Sequence, residues 1–174
     1  GMEFASLYQM LGCQVTVLEA MDRILPNMDR EVCQNLSMIL KKRGVQIFAG
    51  ARVEQVEPAE EGYTVRFTQK GQSAQVQGEV VLCAIGRRPN TQGLFGPDFS
   101  VEQERGRILV DENFQTSVPG VYAVGDVSAR IQLAHVASAQ GTACVERLAG
   151  RSPLTDLNAV PSCIYTDPEI ACVG

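Results

Sequence analysis

The stretch Gln14-Val15-Thr16-Val17-Leu18-Glu19 is predicted to form a short strand, because it is rich in β-branched residues and follows a glycine turn. A helix is predicted before it, over residues 1–11, and another after it, with Asp29 as its N-cap. Val45-Gln46-Ile47-Phe48 is the next predicted strand. Helices and strands that alternate at these lengths are typical of a parallel α/β sheet.

The pattern after residue 50 changes to an alternation of polar and apolar residues. Three segments have this period of two and are separated by glycine turns, which predicts an antiparallel β-meander: residues 52–57, 63–68 and 74–77. Residues 79–85 are almost wholly apolar, as expected for a central parallel strand. The Gly, Pro and Asn of residues 86–90 then predict a turn and the best domain boundary in the chain.

A second α/β segment is predicted beyond this turn. Residues 107–111, 121–124 and 162–165 are predicted strands, and a helix rich in Ala and Gly is predicted from Leu133 to Ala149. The fold class that follows is α/β: a Rossmann-like, doubly wound parallel sheet with an antiparallel meander crossover, followed by part of a second α/β domain.

Composition and charge exclude several classes of function. The chain has 174 residues, with 45% hydrophobic and 20% charged residues, enough for a packed core. Its net charge of -5 argues against a surface for nucleic acid or for a polybasic membrane contact. No apolar run approaches the roughly 20 residues that span a bilayer, and no signal peptide is evident, so we expect a cytoplasmic protein.

The cysteines predict neither a metal site nor a redox pair. None of the six is paired as C-x-x-C, so a structural zinc site is disfavoured, although the even count leaves a disulfide framework conceivable. Because most lie in apolar stretches, we expect buried, reduced thiols that pack as small hydrophobic side chains. They are Cys13, Cys33, Cys83, Cys144, Cys163 and Cys172.

Two acidic residues at predicted strand ends are candidate ligand contacts. Glu19 lies where a dinucleotide-binding βαβ unit places the acid that binds the ribose, about 20 residues after the glycine loop, if Gly1 ends that loop. No arginine follows Glu19 immediately, which favours NAD over NADP. Asp126 follows Gly125 at a predicted sheet edge, where a carboxylate can accept hydrogen bonds from polyol hydroxyls. The alternatives are an exposed strand-end acid and a simple Gly-Asp turn.

His135 is the only histidine, and it lies near the start of a predicted helix. Cys144 lies about two and a half helical turns further on, so the two side chains are on opposite faces and do not form a nucleophile–base pair. The helix N-terminus near His135 would instead direct backbone N–H groups at an electron-rich ligand atom.

Five segments, in order along the whole chain, resemble the FAD-dependent pyridine nucleotide–disulfide oxidoreductases. Gly1-Met2-Glu3 is similar to the end of the NAD-loop signature, residues 84–91 to the crossover between domains, and residues 116–126 to the second FAD signature. Leu133-Ala134-His135 resembles the start of the flavin-contacting helix. Residues 165–174 resemble the opening of the dimerisation domain, in the form found in members that oxidise dihydrolipoamide.

The resemblance implies three parts of domains and two cofactor sites. Residues 1–89 would be the NAD-binding domain without its first strand, 90–159 the returning half of the FAD-binding domain, and 160–174 the start of the dimerisation domain. Glu3 would partner a lysine near the flavin that this sequence lacks. The NAD site would include Gly1, Glu19, Val53 and Gly86, and the FAD site would include Asp126, Gln132, Leu133, Ala134 and His135.

The activity implied is hydride transfer from dihydrolipoamide, through a disulfide and the flavin, to NAD. The partners implied are a second subunit in a homodimer and a 2-oxoacid dehydrogenase complex. The C-x-x-x-x-C redox pair is absent, so we expect a fragment with incomplete FAD and NAD sites, no catalytic residue and no turnover alone. The alternatives are members that reduce mercuric ion or exchange hydride between nucleotides, and a truncated nucleotide-binding or protein-interaction module.

Overall fold

The computed structural model describes residues 1–129 and 131–173, which divide into two compact units. The first unit contains Gly1–Ile85 and Cys163–Ile170, and the second contains Gly86–Ser162 and Ala171–Gly174. Gly174, the last residue of the motif predicted to open a dimerisation domain, lies outside the described residues. Parallel and antiparallel sheets are both present, and the chain is a mixed α/β protein.

The first unit begins with two helices that alternate with two parallel strands: α1 (Met2–Met10), β1 (Thr16–Glu19), α2 (Arg30–Lys42) and β2 (Gln46–Ala49). The strands pair in register from Thr16 with Gln46 to Glu19 with Ala49. Because Asp29 caps α2 and its apolar residues recur on one face, Leu36 and Leu40 are buried. The core around them contains Met2, Ala5, Ile24, Leu36, Leu40 and Val45.

The meander follows directly and is antiparallel, as predicted: β3 (Ala51–Pro58), β4 (Tyr63–Gln69) and β5 (Gln72–Gly78). The register between β3 and β4 shifts between Val53 and Gln55, which is a local bulge. Phe67 is the buried centre of this sheet, and its ring lies 5.4 Å from that of Phe48, centroid to centroid.

The second unit has less regular structure than the first. Its elements begin with two short antiparallel strands, β6 (Gln103–Glu104) and β7 (Arg107–Ile108). A 3₁₀ turn (Gly125–Val127) and the helix α3 (Ala134–Leu148) follow. The last two strands of the chain, β8 (Pro161–Ile164) and β9 (Ile170–Val173), form a two-stranded sheet, and each has residues assigned to both units.

Two of the predicted strands are absent from the described residues. The apolar segment 79–85 has no strand assignment, and its side chains are exposed, with Ile85 at 95% and Val80 at 82%. A strand needs a neighbour to pair with its backbone, and no described strand pairs with this segment. Likewise, residues 121–124 form only one bridge, between Tyr122 and Gln115.

The expectation of buried thiols is wrong for most of the cysteines. Cys33 and Cys144 are buried on α2 and α3, but the other four are exposed: Cys13, Cys83, Cys163 and Cys172. Cys83 is exposed because it belongs to the unpaired segment 79–85. In the part of the chain that the structure describes, no helix is long and apolar enough to cross a membrane.

Candidate functional site

The end of β1 and the start of α1 carry the residues predicted for a nucleotide in the first unit. Glu19 is half-buried, and its Oε1 accepts a hydrogen bond from Met21 N at 2.8 Å, which fixes the carboxylate at the end of the strand. Gly1 is the N-cap of α1 and makes no side-chain cap. A Cβ at Gly1 would lie only 3.2 Å from Ala84 Cβ, so the backbone at the helix start is closely packed.

Glu3, Val53 and Gly86 were also predicted near the cofactors. Glu3 lies in the first turn of α1, and its Oε1 accepts a hydrogen bond from Tyr165 N at 2.9 Å, a contact that the sequence did not indicate. Val53 lies at the bulge of β3 with 44% of its surface exposed. Gly86 belongs to the second unit and has a φ of 112°, a conformation that glycine adopts without strain.

Asp126 lies in the second unit, on a turn that is held against α3. The preceding residue, Gly125, has a φ of 76°, and a Cβ there would lie 3.0 Å from Ala137 Cβ. Gly125 N also donates a hydrogen bond to Gln140 Oε1 at 2.8 Å. Only glycine combines this φ with this close approach, so the turn presents the Asp126 carboxylate in a defined place.

The Asp126 carboxylate remains accessible to a ligand. Its side chain is 46% exposed, and its Oδ2 lies 3.9 Å from Arg87 Nη1. Arg87 and Gln140 are the two side chains around this turn that the sequence reasoning missed. The small residues of the predicted helix were the available signal, since they indicated a close approach to α3 but not which residue would make it.

The N-terminus of α3 is open. Leu133 is its N-cap, with extended backbone and no side-chain hydrogen bond to the first turn. Gln132 and Leu133 are half-buried, whereas Ala134 and His135 are exposed. The first backbone N–H groups of a helix have no partner within the helix and carry partial positive charge, which suits an electron-rich ligand.

His135 makes a contact of its own at this helix start. Its Nε2 lies 2.8 Å from Pro161 O, and because a carbonyl oxygen can only accept, Nε2 is the nitrogen that carries the proton. The imidazole is therefore anchored by the chain, which leaves the backbone of residues 134 and 135 as the ligand-facing part of the helix start.

The chemistry of these groups fits the two cofactors that the sequence suggested. The accessible Asp126 carboxylate offers acceptors for hydroxyls, and the open N-terminus of α3, the helix against which its turn packs, offers donors for an electron-rich ring. A strand-end carboxylate with a second open helix start in the same unit, as at Glu19 and α1, suits a ribose and a phosphate. No group of metal-ligating side chains occurs in residues 1–129 and 131–173.

Residues 1–141 match the family model described as pyridine nucleotide-disulphide oxidoreductase. The chain belongs to this family. The members of this family are flavoprotein oxidoreductases, enzymes that use FAD together with a pyridine nucleotide. The expected family and the α/β fold class are therefore confirmed.

Relatives in this family are similar along the whole chain. The chain is 40% identical over 176 residues to dihydrolipoyl dehydrogenase of Mycoplasma pneumoniae, which covers 100% of the chain and 37% of that protein. It is 40% identical over 177 residues to the mitochondrial dihydrolipoyl dehydrogenase of Pisum sativum, again over 100% of the chain and 35% of that protein. The chain thus spans little more than a third of the length of these relatives.

Two solved structures share the fold of this chain. LpdA from Mycobacterium tuberculosis superposes with a TM-score of 0.86 at 34% identity, covering 99% of this chain and 37% of that one. The HOCl-induced flavoprotein disulfide reductase RclA from Escherichia coli, solved as a Cu(II) complex, also gives 0.86, at 30% identity, over 100% of this chain and 40% of that one.

Proposed function

We propose that the chain supplies the NAD site and the returning half of the FAD site of a dihydrolipoamide dehydrogenase. The overall reaction would oxidise dihydrolipoamide to lipoamide and reduce NAD to NADH, with one proton released. The observation that carries the proposal is an accessible Asp126 carboxylate on a turn that packs against α3, the helix whose N-terminus is open. The similarity to dihydrolipoyl dehydrogenases over the whole chain supports the choice within the family.

The second unit would hold the flavin. Asp126 would accept hydrogen bonds from the hydroxyls of the ribitol chain. The backbone N–H groups of Ala134 and His135 would stabilise negative charge on the reduced ring, and Gln132 and Leu133 would contact its edge. When bound, FAD supplies electron transfer between a thiol pair and a nicotinamide. The residues of this chain bind and orient it.

The first unit would hold the nicotinamide nucleotide. Glu19 would accept hydrogen bonds from the adenosine ribose hydroxyls, and its charge would repel the 2′-phosphate of NADP. Gly1, at the start of α1, would allow the pyrophosphate to approach the backbone. Val53 and Gly86 would line the nucleotide site. NAD specificity is therefore part of the proposal.

The domain assignment is also part of the proposal: residues 1–89 for the NAD domain, 90–159 for the FAD domain and 160–174 for the start of a dimerisation domain. The sequence contains no C-x-x-x-x-C pair, so the chain alone would have no turnover. The whole enzyme would be a cytoplasmic homodimer that serves a 2-oxoacid dehydrogenase complex. A mercuric reductase or a transhydrogenase would differ in the region that carries the redox pair.

Calorimetric titration with NAD tests the nucleotide site. The wild-type chain should bind NAD more tightly than NADP, and Glu19→Ala should weaken NAD binding about 10-fold or more, because hydrogen bonds to a charged group are lost. Glu61→Ala, which removes an exposed acid from the β3–β4 turn, is the matched control and should bind NAD as the wild type does. An NAD affinity that Glu19→Ala leaves unchanged would remove the ribose assignment.

A further inference from the structure

Three side chains, on α1 and at the end of α2, form hydrogen bonds with the segment from Tyr165 to Asp167. Tyr165 N donates to Glu3 Oε1 at 2.9 Å, and Asp167 N donates to Ser6 Oγ at 2.9 Å. Arg43 Nη1 donates to both the backbone oxygen and Oδ2 of Asp167, each at 2.8 Å. We call this set of contacts the Asp167 clamp.

The clamp joins one buried side chain to exposed partners: Tyr165 is 70% exposed, and the side chains of Arg43 and Asp167 are 35% and 53% exposed. Ser6 is 0% exposed and Thr166 is 3% exposed. Thr166 Oγ1 donates to Pro168 O at 2.8 Å, and Ile170 packs against the core that contains Leu36 and Leu40. The argument from burial therefore applies to Ser6: breaking its contact with Asp167 N would leave a buried hydroxyl without that partner, so this contact holds a defined geometry.

Glu3 and Ser6 are three residues apart on α1, so their side chains lie on the same face of the helix. They receive backbone N–H groups that are two residues apart on the Tyr165–Asp167 segment. The contact between Ser6 and Asp167 therefore sets the position at which Tyr165 N meets Glu3. Arg43 adds a second fixed point, since it binds Asp167 from the end of α2.

We propose that Ser6 and Arg43 are positioning residues for Glu3: through Asp167 they hold Tyr165 N on Oε1 and so fix the orientation of the Glu3 carboxylate. A cation that pairs with Glu3 then meets an oriented carboxylate rather than a freely rotating one. The inference rests on the proposed function only for the identity of that cation: in a dihydrolipoamide dehydrogenase it would be the lysine near the flavin that this sequence lacks. The clamp itself requires no cofactor.

Amide NMR on the ¹⁵N-labelled chain tests the contact with Glu3. The Tyr165 amide should exchange slowly with solvent, because it donates to Glu3 Oε1. Glu3→Gln should keep this exchange slow, because the amide oxygen of glutamine still accepts. Glu3→Ala should shift the Tyr165 resonance and accelerate exchange about 10-fold or more, which corresponds to the loss of a hydrogen bond to a charged group.

Glu169 is a neighbouring carboxylate outside the clamp and is the matched control for Glu3. Glu169→Ala should leave the exchange of the Tyr165 amide as in the wild type. Exchange that Glu3→Ala leaves unchanged, or that Glu169→Ala accelerates as much as Glu3→Ala does, would overturn the contact with Glu3.

Substitutions of residues that do not contact Glu3 test the positioning role. Ser6→Ala and Arg43→Met should each shift the Tyr165 amide resonance and accelerate its exchange with solvent. Arg43→Lys should restore both, because one ammonium group can donate to both oxygens of Asp167. Lys42→Met removes the adjacent charge from the last turn of α2 and is the matched control, with no change expected.

The amide signals of Leu36 and Leu40 report whether each variant keeps the core. If these signals are unchanged and Arg43→Met leaves the Tyr165 amide as in the wild type, the positioning role is wrong. If the chain binds neither flavin nor NAD, the proposed function is wrong. The positioning role of Ser6 and Arg43 is still supported if their variants change the Tyr165 amide as described.

Discussion

The helices α2 and α3 begin in opposite ways. At α2, Asp29 Oδ1 accepts a hydrogen bond from Glu31 N at 2.8 Å, so the chain satisfies its own helix start. At α3, Leu133 has the extended backbone of an N-cap but offers no side-chain acceptor. The capped start of α2 belongs to no proposed site. The uncapped start of α3 contains the residues proposed to contact the flavin. An uncapped start thus marks where the chain leaves donors for a ligand.

The two helices also differ in what they bury. α2 buries Cys33, Leu36 and Leu40, and the last of these is fully enclosed. α3 buries smaller side chains, Val136, Ala143 and Cys144, and packs closely on the turn at Gly125. Large side chains on α2 therefore carry stability, while small ones on α3 allow the Asp126 turn to approach the helix.

The largest effect is expected for Leu40→Ala, which empties space at the centre of the core. The free energy of unfolding should fall by about 2–5 kcal/mol, as measured by urea denaturation. Val145→Ala on α3, where the valine is 65% exposed, should change it by about 0.5 kcal/mol or less. Equal losses of unfolding free energy for the two variants would contradict the claim that large buried side chains make α2 the more stabilising helix.

The next effect concerns the caps themselves. Asp29→Ala should lower the free energy of unfolding by about 1 kcal/mol, because the first turn of α2 loses its acceptor. Leu133→Ala, at the matching position of α3, should cost clearly less in the same urea experiment, since no cap is lost. A larger loss at Leu133 than at Asp29 would contradict the contrast between the two helix starts.

An N-cap introduced at α3 should raise the stability of the chain and weaken its binding of FAD. Leu133→Ser supplies a hydroxyl acceptor at a position whose backbone already suits an N-cap, so stability should rise by up to about 1 kcal/mol. The same variant should weaken binding of FAD, because the hydroxyl competes for the N–H groups of the first turn. FAD binding is measured by amide shifts. If Leu133→Ser binds FAD more tightly than the wild type, the open start of α3 is not the flavin contact.

The smallest effect is expected at Arg87, which faces Asp126 across solvent. Its side chain is 78% exposed and its Nη1 lies 3.9 Å from Asp126 Oδ2, so Arg87→Met should change stability by about 0.5 kcal/mol or less. The amide resonances of residues 125–127 should nevertheless shift, and Arg88→Met should leave them in place. Identical spectra for the two variants would remove Arg87 from the site.

The sequence predicted the elements whose contacts are local. The apolar spacing and the acidic cap defined α2, and the period of two defined the meander, because both patterns reflect neighbours within the same element. The apolar segment 79–85 was predicted as a central strand, yet it is unpaired and exposed. A run of apolar residues indicates a strand only when its partner strands are present, and periodicity carries no information about them.

The candidate site shows the same limit. Glu19 and Asp126 could be singled out because each ends a predicted strand before a turn. The Asp167 clamp could not, because Ser6 and Arg43 are more than a hundred residues from Asp167 along the chain. In the sequence, Ser6 is an ordinary helix residue and Arg43 is a charge at a helix end. Only the fold brings both into contact with Asp167.

Titration of the ¹⁵N-labelled chain with FAD tests the central claim most directly, because amide shifts register even weak binding. The account predicts shifts at residues 125–127 and at Ala134 and His135, lost in Asp126→Ala and retained in Asp98→Ala. The absence of shifts at these residues, or shifts that Asp126→Ala leaves unchanged, would contradict the assignment of a flavin site to Asp126 and the open start of α3.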